Sequence, residues 1–305
     1  MAVDPSIQAQ LAALKAASMP QPHALGAAAA RQLLRSMRPL DTPPLAVGCV
    51  EDRGITSPAG TLPVRLYWPD ASAPHPVIVF FHGGGFVLGD LDSHDTLCRR
   101  LCCGTDSLVV AVDYRLAPEN PYPAALDDAL LATRWVHANA AALHGDAQRV
   151  SVCGDSAGGN LAAMVCLQAR AAGAPNIRGQ VLFYPVTAHY EPPTPSYLAF
   201  AEDHFLTRDA MRWFIDQYLD GAAQDGAFPL AAADLRSLPP ALIVTAECDP
   251  LRDEGHAYAE RLRDAGVPVV YREMAGMIHS CLSQATLHPT AAAALQSVCT
   301  YLKAQ

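Results

Sequence analysis

Residues 149–164 read RVSVCGDSAGGNLAAM: a short β-branched run, a serine set between glycines, then an alanine- and leucine-rich helical pattern. Its centre, Gly154-Asp155-Ser156-Ala157-Gly158, fits the G-x-S-x-G nucleophile elbow. A serine on so sharp a strand-to-helix turn adopts a strained backbone, and small residues two positions to either side avoid collisions. The pentapeptide alone arises by chance with a probability of roughly 5% in a chain of this composition, so its context has to carry the reading. RVSVC before it predicts a strand and NLAAMVCLQARAAG after it a helix, which places Oγ at the carboxyl edge of a sheet beside a positive helix N-terminus.

Outward from the elbow, VIVFFH (77–82), SLVVAVD (107–113), RGQVLFYP (178–185), PALIVTAE (240–247) and VPVVYRE (267–273) read as further buried strands. Helix-period segments lie between or after them at Leu126–Ala138, Ala157–Ala172, Glu254–Ala265 and Thr290–Leu302. Strands alternating with helices, several of them apolar on both faces, predict an α/β domain with a mainly parallel central sheet. Two stretches stand outside the alternation. One is the N-terminal 1–45, a pair of amphipathic helical patterns ended by Pro39, Pro43 and Pro44. The other is 189–231, with the aromatic helix AMRWFIDQYL. Together they are expected to form a lid over one end of the sheet. The core then falls into two parts, 46–188 and 232–305.

At 305 residues the chain buries roughly three quarters of its unfolded surface in one core, so one domain with an elaboration is expected. The longest strongly apolar run, Val77–Phe81, is far shorter than the ~18 residues of a membrane span. The N-terminal MAVDPSIQAQLAALKAASMP lacks a basic leader and an unbroken apolar core, so no signal peptide is expected. Nine cysteines, an odd number with Cys102 and Cys103 adjacent, read as reduced core thiols and a cytoplasmic protein. Against 30 acidic residues stand 21 basic ones, a formal charge of -9, and Lys15 and Lys303 are the sole lysines. That balance argues against nucleic acid or anionic membrane as partner.

A serine needs a base, an orienting carboxylate and an oxyanion site. The strand VIVFF runs into His82-Gly83-Gly84-Gly85-Phe86, whose peptide N–H groups stand unshielded by side chains, as an oxyanion hole requires. A phosphate-cradling P-loop is excluded because the Lys-Ser/Thr pair is missing. Asp249 follows the strand PALIVTAE, and His279 follows VPVVYRE and a short turn. The order Ser156, Asp249, His279 is that of α/β-hydrolases, not of the two common serine-protease folds. Asp253 competes as the acid, but its place in a first helical turn gives it a role toward the helix dipole, so Asp249 ranks ahead. No histidine or cysteine spacing suits a metal, and the nine other histidines, His94 among them, read as surface or core residues. Cys98, Cys102 and Cys103 read as packing thiols on a short helix.

HGGGFVLGDLDSHD, DYRLAPENPYPAALDDAL, GDSAGGNLAA, DPLRDEG and GMIH, in that order, resemble the bacterial esterases of the hormone-sensitive-lipase family, GDSAG branch, over residues 45 to 302. The resemblance implies an α/β-hydrolase fold with an eight-stranded sheet and a helical cap. It implies Ser156 as nucleophile, His279 as base and Asp249 as triad acid. For the oxyanion hole it implies the N–H groups of Gly84, Gly85 and Ala157, with Gly83 in the same loop. Phe86, Asp155, Phe205, Leu206, Trp213, Phe214 and Ile278 are then the expected substrate pocket. It implies a small-molecule ester substrate of short to medium acyl length, no cofactor, no stable membrane insertion, and a monomer or homodimer. One departure stands out: the family's His-Gly-Phe is here His279-Ser280-Cys281. The alternatives are an amidase or arylformamidase using the same triad, and a non-catalytic binding protein, against which His279 argues.

Overall fold

A computed structural model describes residues 3–36, 43–224, 226–285 and 287–304, so Pro39 lies outside the described residues. Eight strands form one sheet: β1 (Cys49–Ser57), β2 (Gly60–Trp68), β3 (His75–Phe81), β4 (Leu108–Val112), β5 (Gly145–Asp155), β6 (Gly179–Phe183), β7 (Ala241–Cys248) and β8 (Val269–Ile278). Their order is β1-β2-β4-β3-β5-β6-β7-β8, with β1/β2 and β2/β4 antiparallel and every later pairing parallel. The helices are α1 (Pro5–Ala16), α2 (Pro22–Leu25), α3 (Ala27–Ser36), α4 (Asp95–Thr105), α5 (Ala124–Asn139), α6 (Ala157–Ala172), α7 (Pro195–Ala199), α8 (Arg208–Leu219), α9 (Arg252–Asp264) and α10 (Pro289–Lys303).

Period-2 alternation explains why both faces are covered. On β3, Val77, Val79 and Phe81 enter a core shared with α5, α6 and α9, while Ile78 and Phe80 enter a second one beneath α4 and α10. All five are at most 1% exposed, and each such side chain contributes about 1.5–3 kcal/mol relative to exposure. All six strands expected from apolar runs are present. The β1–β2 hairpin escapes that reading because β1, CVEDRGITS, buries Ile55 alone. A polar edge strand carries no apolar run.

At the N-terminus the expected pair of helices is three. The Asp4 side chain accepts from Ser6 N–H to cap α1, with Pro5 at the first helical position, and α2 and α3 follow Pro22. In the long crossover between β6 and β7, Thr194 caps α7 and Thr207 caps α8. Arg31 of α3 donates to the carbonyls of Val87 (2.7 Å) and Ala117 (2.6 Å), which seats the N-terminal helices behind the glycine loop. All nine cysteines are free, and seven are buried. Cys49 and Cys103 correct the expectation of core thiols: both are exposed, at the sheet edge and on the outer side of α4. No helix among the described residues is long and apolar enough to cross a membrane.

Candidate active site

Ser156 sits at the β5–α6 junction with φ 56° and ψ −117°, a conformation costly for any residue bearing a Cβ. The turn is held from both sides: Ser156 N–H donates to Phe183 O (2.8 Å), and its carbonyl accepts from Val186 N–H (3.1 Å). Gly158 is required by close approach, since a Cβ there would run into the carbonyls of Phe81 and His82. The loops after β7 and β8 bring the other two groups to the serine. His279 Nε2 lies 2.9 Å from Ser156 Oγ, and His279 Nδ1 lies 2.7 Å from Asp249 Oδ2. A carboxylate at Nδ1 places the imidazole proton there and leaves Nε2 to accept from the hydroxyl. Asp249 is fully buried, and its other oxygen accepts from Leu251 N–H at 2.9 Å. Asp253 is engaged elsewhere: it accepts from Ser196 N–H (2.8 Å) and pairs with Arg252, tying α7 to α9.

The glycine loop has its peptide planes fixed. His82 O accepts from Tyr114 OH (2.7 Å), Gly83 O from His82 Nδ1 (2.8 Å), and Gly84 O from the N–H groups of Val87 (3.1 Å) and Leu88 (2.8 Å). A trans peptide points its N–H opposite to its C=O. Holding the Gly83 and Gly84 carbonyls therefore turns the N–H groups of Gly84 and Gly85 away from those partners, on a loop that lines the same cavity as Ser156. Neither N–H is bonded within the described residues. Ala157 opens α6, where an N–H has no intrahelical acceptor. Gly83, expected in the oxyanion loop beside those donors, anchors that loop: its N–H is committed to Asp155 Oδ1 at 2.9 Å.

Burial, helped by the nearby His94, pushes His82 down to about 4, so the ring is neutral and its Nδ1–H is free to grip Gly83. Burial works to raise the Asp155 carboxyl, but His94, with His82 and His279, outweighs it and holds the group below the usual carboxylate range. Burial also pushes the Cys281 thiol well up, and its sulfur packs 3.8 Å from that of Met274, so it is a packing thiol with little thiolate character.

The cavity over Ser156 measures about 1060 Å³. Asp155, Phe205, Leu206 and Phe214 line it, while Phe86, Trp213 and Ile278 do not. A positive φ of 63° turns the Phe86 ring onto Tyr218, 3.7 Å between centroids, and buries it. Trp213 is one position from Phe214 on α8, so it packs on the helix flank. Ile278 alternates with His279 and joins the core beneath it. Wall residues absent from the expectation are Leu14, Met19, Leu33, Met211 and His94. Met211, one helical turn before Phe214, was readable from spacing; the N-terminal residues carry no local signal. His94 is the penultimate residue of the motif HGGGFVLGDLDSHD, and its place there is the available signal. Among the described residues no cluster of three or more His, Cys, Asp or Glu side chains is arranged to hold a metal ion.

A family described by the alpha/beta hydrolase fold matches residues 78–283. The carboxylesterase NlhH of Mycobacterium tuberculosis is 44% identical over 268 residues, 85% of this chain and 84% of that protein. The ethyl acetate hydrolase of Pseudomonas putida is 41% identical over 249 residues, 78% of this chain and 77% of that protein. Among solved structures, a thermostable esterase from Pseudomonas putida superposes with a TM-score of 0.93 at 39% identity, covering 99% of this chain and 97% of that one. A hyperthermophilic esterase from Pyrobaculum calidifontis does so with a TM-score of 0.91 at 36% identity, covering 100% and 99%. With the serine, histidine and aspartate in hydrogen-bonded sequence at the carboxyl end of such a sheet, the chain belongs to the hormone-sensitive-lipase-type carboxylesterases of the α/β-hydrolase fold.

Proposed function

We propose that the chain hydrolyses small carboxylic esters with short to medium acyl groups through an acyl-enzyme on Ser156. The observation that carries the reading is the unbroken relay Asp249–His279–Ser156, at 2.7 and 2.9 Å, in the wall of an otherwise largely apolar cavity. Ser156 Oγ attacks the ester carbonyl as its proton passes to His279 Nε2, and the buried Asp249 stabilises the imidazolium. The N–H groups of Gly84, Gly85 and Ala157 receive the oxyanion; a single such donor is worth about 10²–10³ in kcat. His279 returns the proton to the leaving alcohol, and water repeats the sequence on the acyl-serine to release the acid.

In this reading 1–45 and 189–231 act as a cap over the core parts 46–188 and 232–305, with α1, α3 and α8 supplying the wall that meets the substrate. The nine free thiols favour a cytoplasmic, reducing location. The test is a panel of nitrophenyl esters of increasing acyl length beside the matching anilides, with fluorophosphonate labelling of Ser156. Ester turnover falling off beyond medium chains, with the anilides inert and Ser156 labelled, is the expected result. Turnover of anilides above esters replaces the esterase by an amidase. Turnover of neither, with no labelling, overturns the enzyme.

A further inference from the structure

His94 is a part-buried histidine that the triad does not use. It sits at the N-cap position of α4, its side chain 12% exposed, and it reaches the cavity beside Asp155 and the glycine loop. Nε2 lies 3.3 and 3.4 Å from the two oxygens of Asp155 and 3.3 Å from Gly83 N. Asp155 is 2% exposed and is bonded at once to the Gly83 N–H and to this ring. A carboxylate so buried is stable only with donors on its oxygens. On the other side of the ring, Nδ1 lies 3.0 Å from Ser93 Oγ, which itself donates to Asp90 O and accepts from Asp90 N–H. The Ser93 hydroxyl proton is spent on Asp90 O, so Nδ1–H donates to Ser93 Oγ. The imidazole is fixed in rotation by that turn on one side and an anion on the other. Nε2 donates to the anion in the imidazolium form, whereas in the neutral form it accepts from Gly83 N–H.

We propose that His94 is a positioning residue for ester hydrolysis: as an imidazolium it donates to the Asp155 carboxylate and, through that carboxylate, holds the Gly83 peptide so that the next two N–H groups of the loop face the oxyanion. The proposal rests on the esterase reading. Asp155 adjoins the nucleophile in sequence and grips the loop in space, so it fixes the two halves of the acyl-transfer site against each other, and His94 keeps it an anion. Burial and the neighbouring charges act on that carboxyl in opposite senses, and His94 supplies the largest favourable part.

The test uses the full chain and p-nitrophenyl butyrate. His94→Phe keeps a ring of similar size but no donor, and His94→Asn keeps polarity but is too short to reach. Both are expected to lower kcat about 10- to 100-fold, the scale of a hydrogen bond to a buried charge, with KM within about twofold of the parent. His94→Gln, which still presents an N–H, is expected to recover most of the loss. In an Asp155→Asn chain, His94→Phe is expected to cost less than about threefold, because the anion it serves is gone. Parental kcat in both His94→Phe and His94→Asn, a loss carried in KM alone, no recovery by Gln, or equal losses in the two backgrounds each overturns the proposal while leaving the esterase intact. A parent inert to both ester and fluorophosphonate overturns the esterase reading, and this proposal with it.

Discussion

The loop after β3 and the loop between α7 and α8 face each other across the cavity and are built by opposite rules. Between His82 and Phe86 the carbonyls of His82, Gly83, Gly84 and Phe86 and the N–H of Gly83 are all held, by Tyr114, the His82 ring, Val87 with Leu88, Ala117 and Asp155 in turn. From Glu202 to Phe205 the chain is mostly exposed, Asp203 and Phe205 hold φ values of 61° and 73°, and its link to α1 is the solvated pair Lys15–Asp203 at 3.4 Å. Such a surface pair contributes about 0–1 kcal/mol. In the proposed reaction the first wall meets charge as it develops, which calls for dipoles fixed before substrate arrives. The second meets apolar groups, for which shape suffices and orientation costs little.

Removing the proposed nucleophile, which shares the cavity with the first wall, is the largest effect expected. Ser156→Ala lowers kcat about 10⁴-fold or more with an unchanged far-UV circular dichroism spectrum. Next, Asp249→Asn costs about 10⁴-fold in kcat by offering His279 the wrong tautomer. Asp253→Asn costs less than about tenfold and shows instead as a lower melting temperature, since its carboxylate docks Ser196 of α7 and pairs with Arg252. The reverse ranking of these two would move the triad acid. Gly85→Ala joins the two walls in one residue: φ is 62° and the new methyl meets the Phe214 ring of α8. A loss of about 10²-fold in kcat is expected, partly restored when Phe214→Ala makes room; no restoration would show the φ constraint acting alone.

Glu254 bonds the root of the crossover, accepting from Thr187 N–H (2.6 Å) and Ala188 N–H (3.2 Å), and burial pushes its carboxyl up from 4.5 to about 8. The folded chain therefore keeps a proton that the unfolded chain releases. Stability on this account is full below pH 4.5, falls as the pH rises toward 8 and levels off beyond it. Denaturant melts between pH 5 and 8 are expected to show a decline on the order of 2 kcal/mol or more, flattened in Glu254→Gln. The smallest effect belongs to the second wall. Phe205→Ala should shift chain-length preference by about two- to tenfold in kcat/KM with no change in melting temperature. A large thermal loss there would place the loop with the rigid wall instead.

The parts of this molecule legible from sequence are those whose physics is local. The elbow needs small residues at fixed offsets from Ser156, and β3 to β8 need runs of apolar residues because helices cover both their faces. The hairpin of β1 and β2 has no reading of its own beyond the two strands by which the family's count of eight exceeds the six apolar runs, since an edge strand with one buried side chain resembles a loop. Sequence places Gly83 in the oxyanion loop without saying what holds it; the holder is Asp155, 72 residues away, which claims its N–H. Phe86 reads as pocket until its backbone turns it inward. Leu14, Met19 and Leu33 wall a cavity whose serine is more than a hundred residues distant, and nothing in their own neighbourhood announces it.

β6 and β7 pair directly, Gln180 to Ala241 through Phe183 to Val244, although the long segment carrying α7 and α8 leaves the sheet between them. The sheet takes no notice of that excursion: its register is set by residues on either side. What lies between is a cassette, free to be lengthened, shortened or rewritten without displacing the strands from which Ser156, Asp249 and His279 project. Descendants of such a chain can change what they recognise far faster than what they do to it.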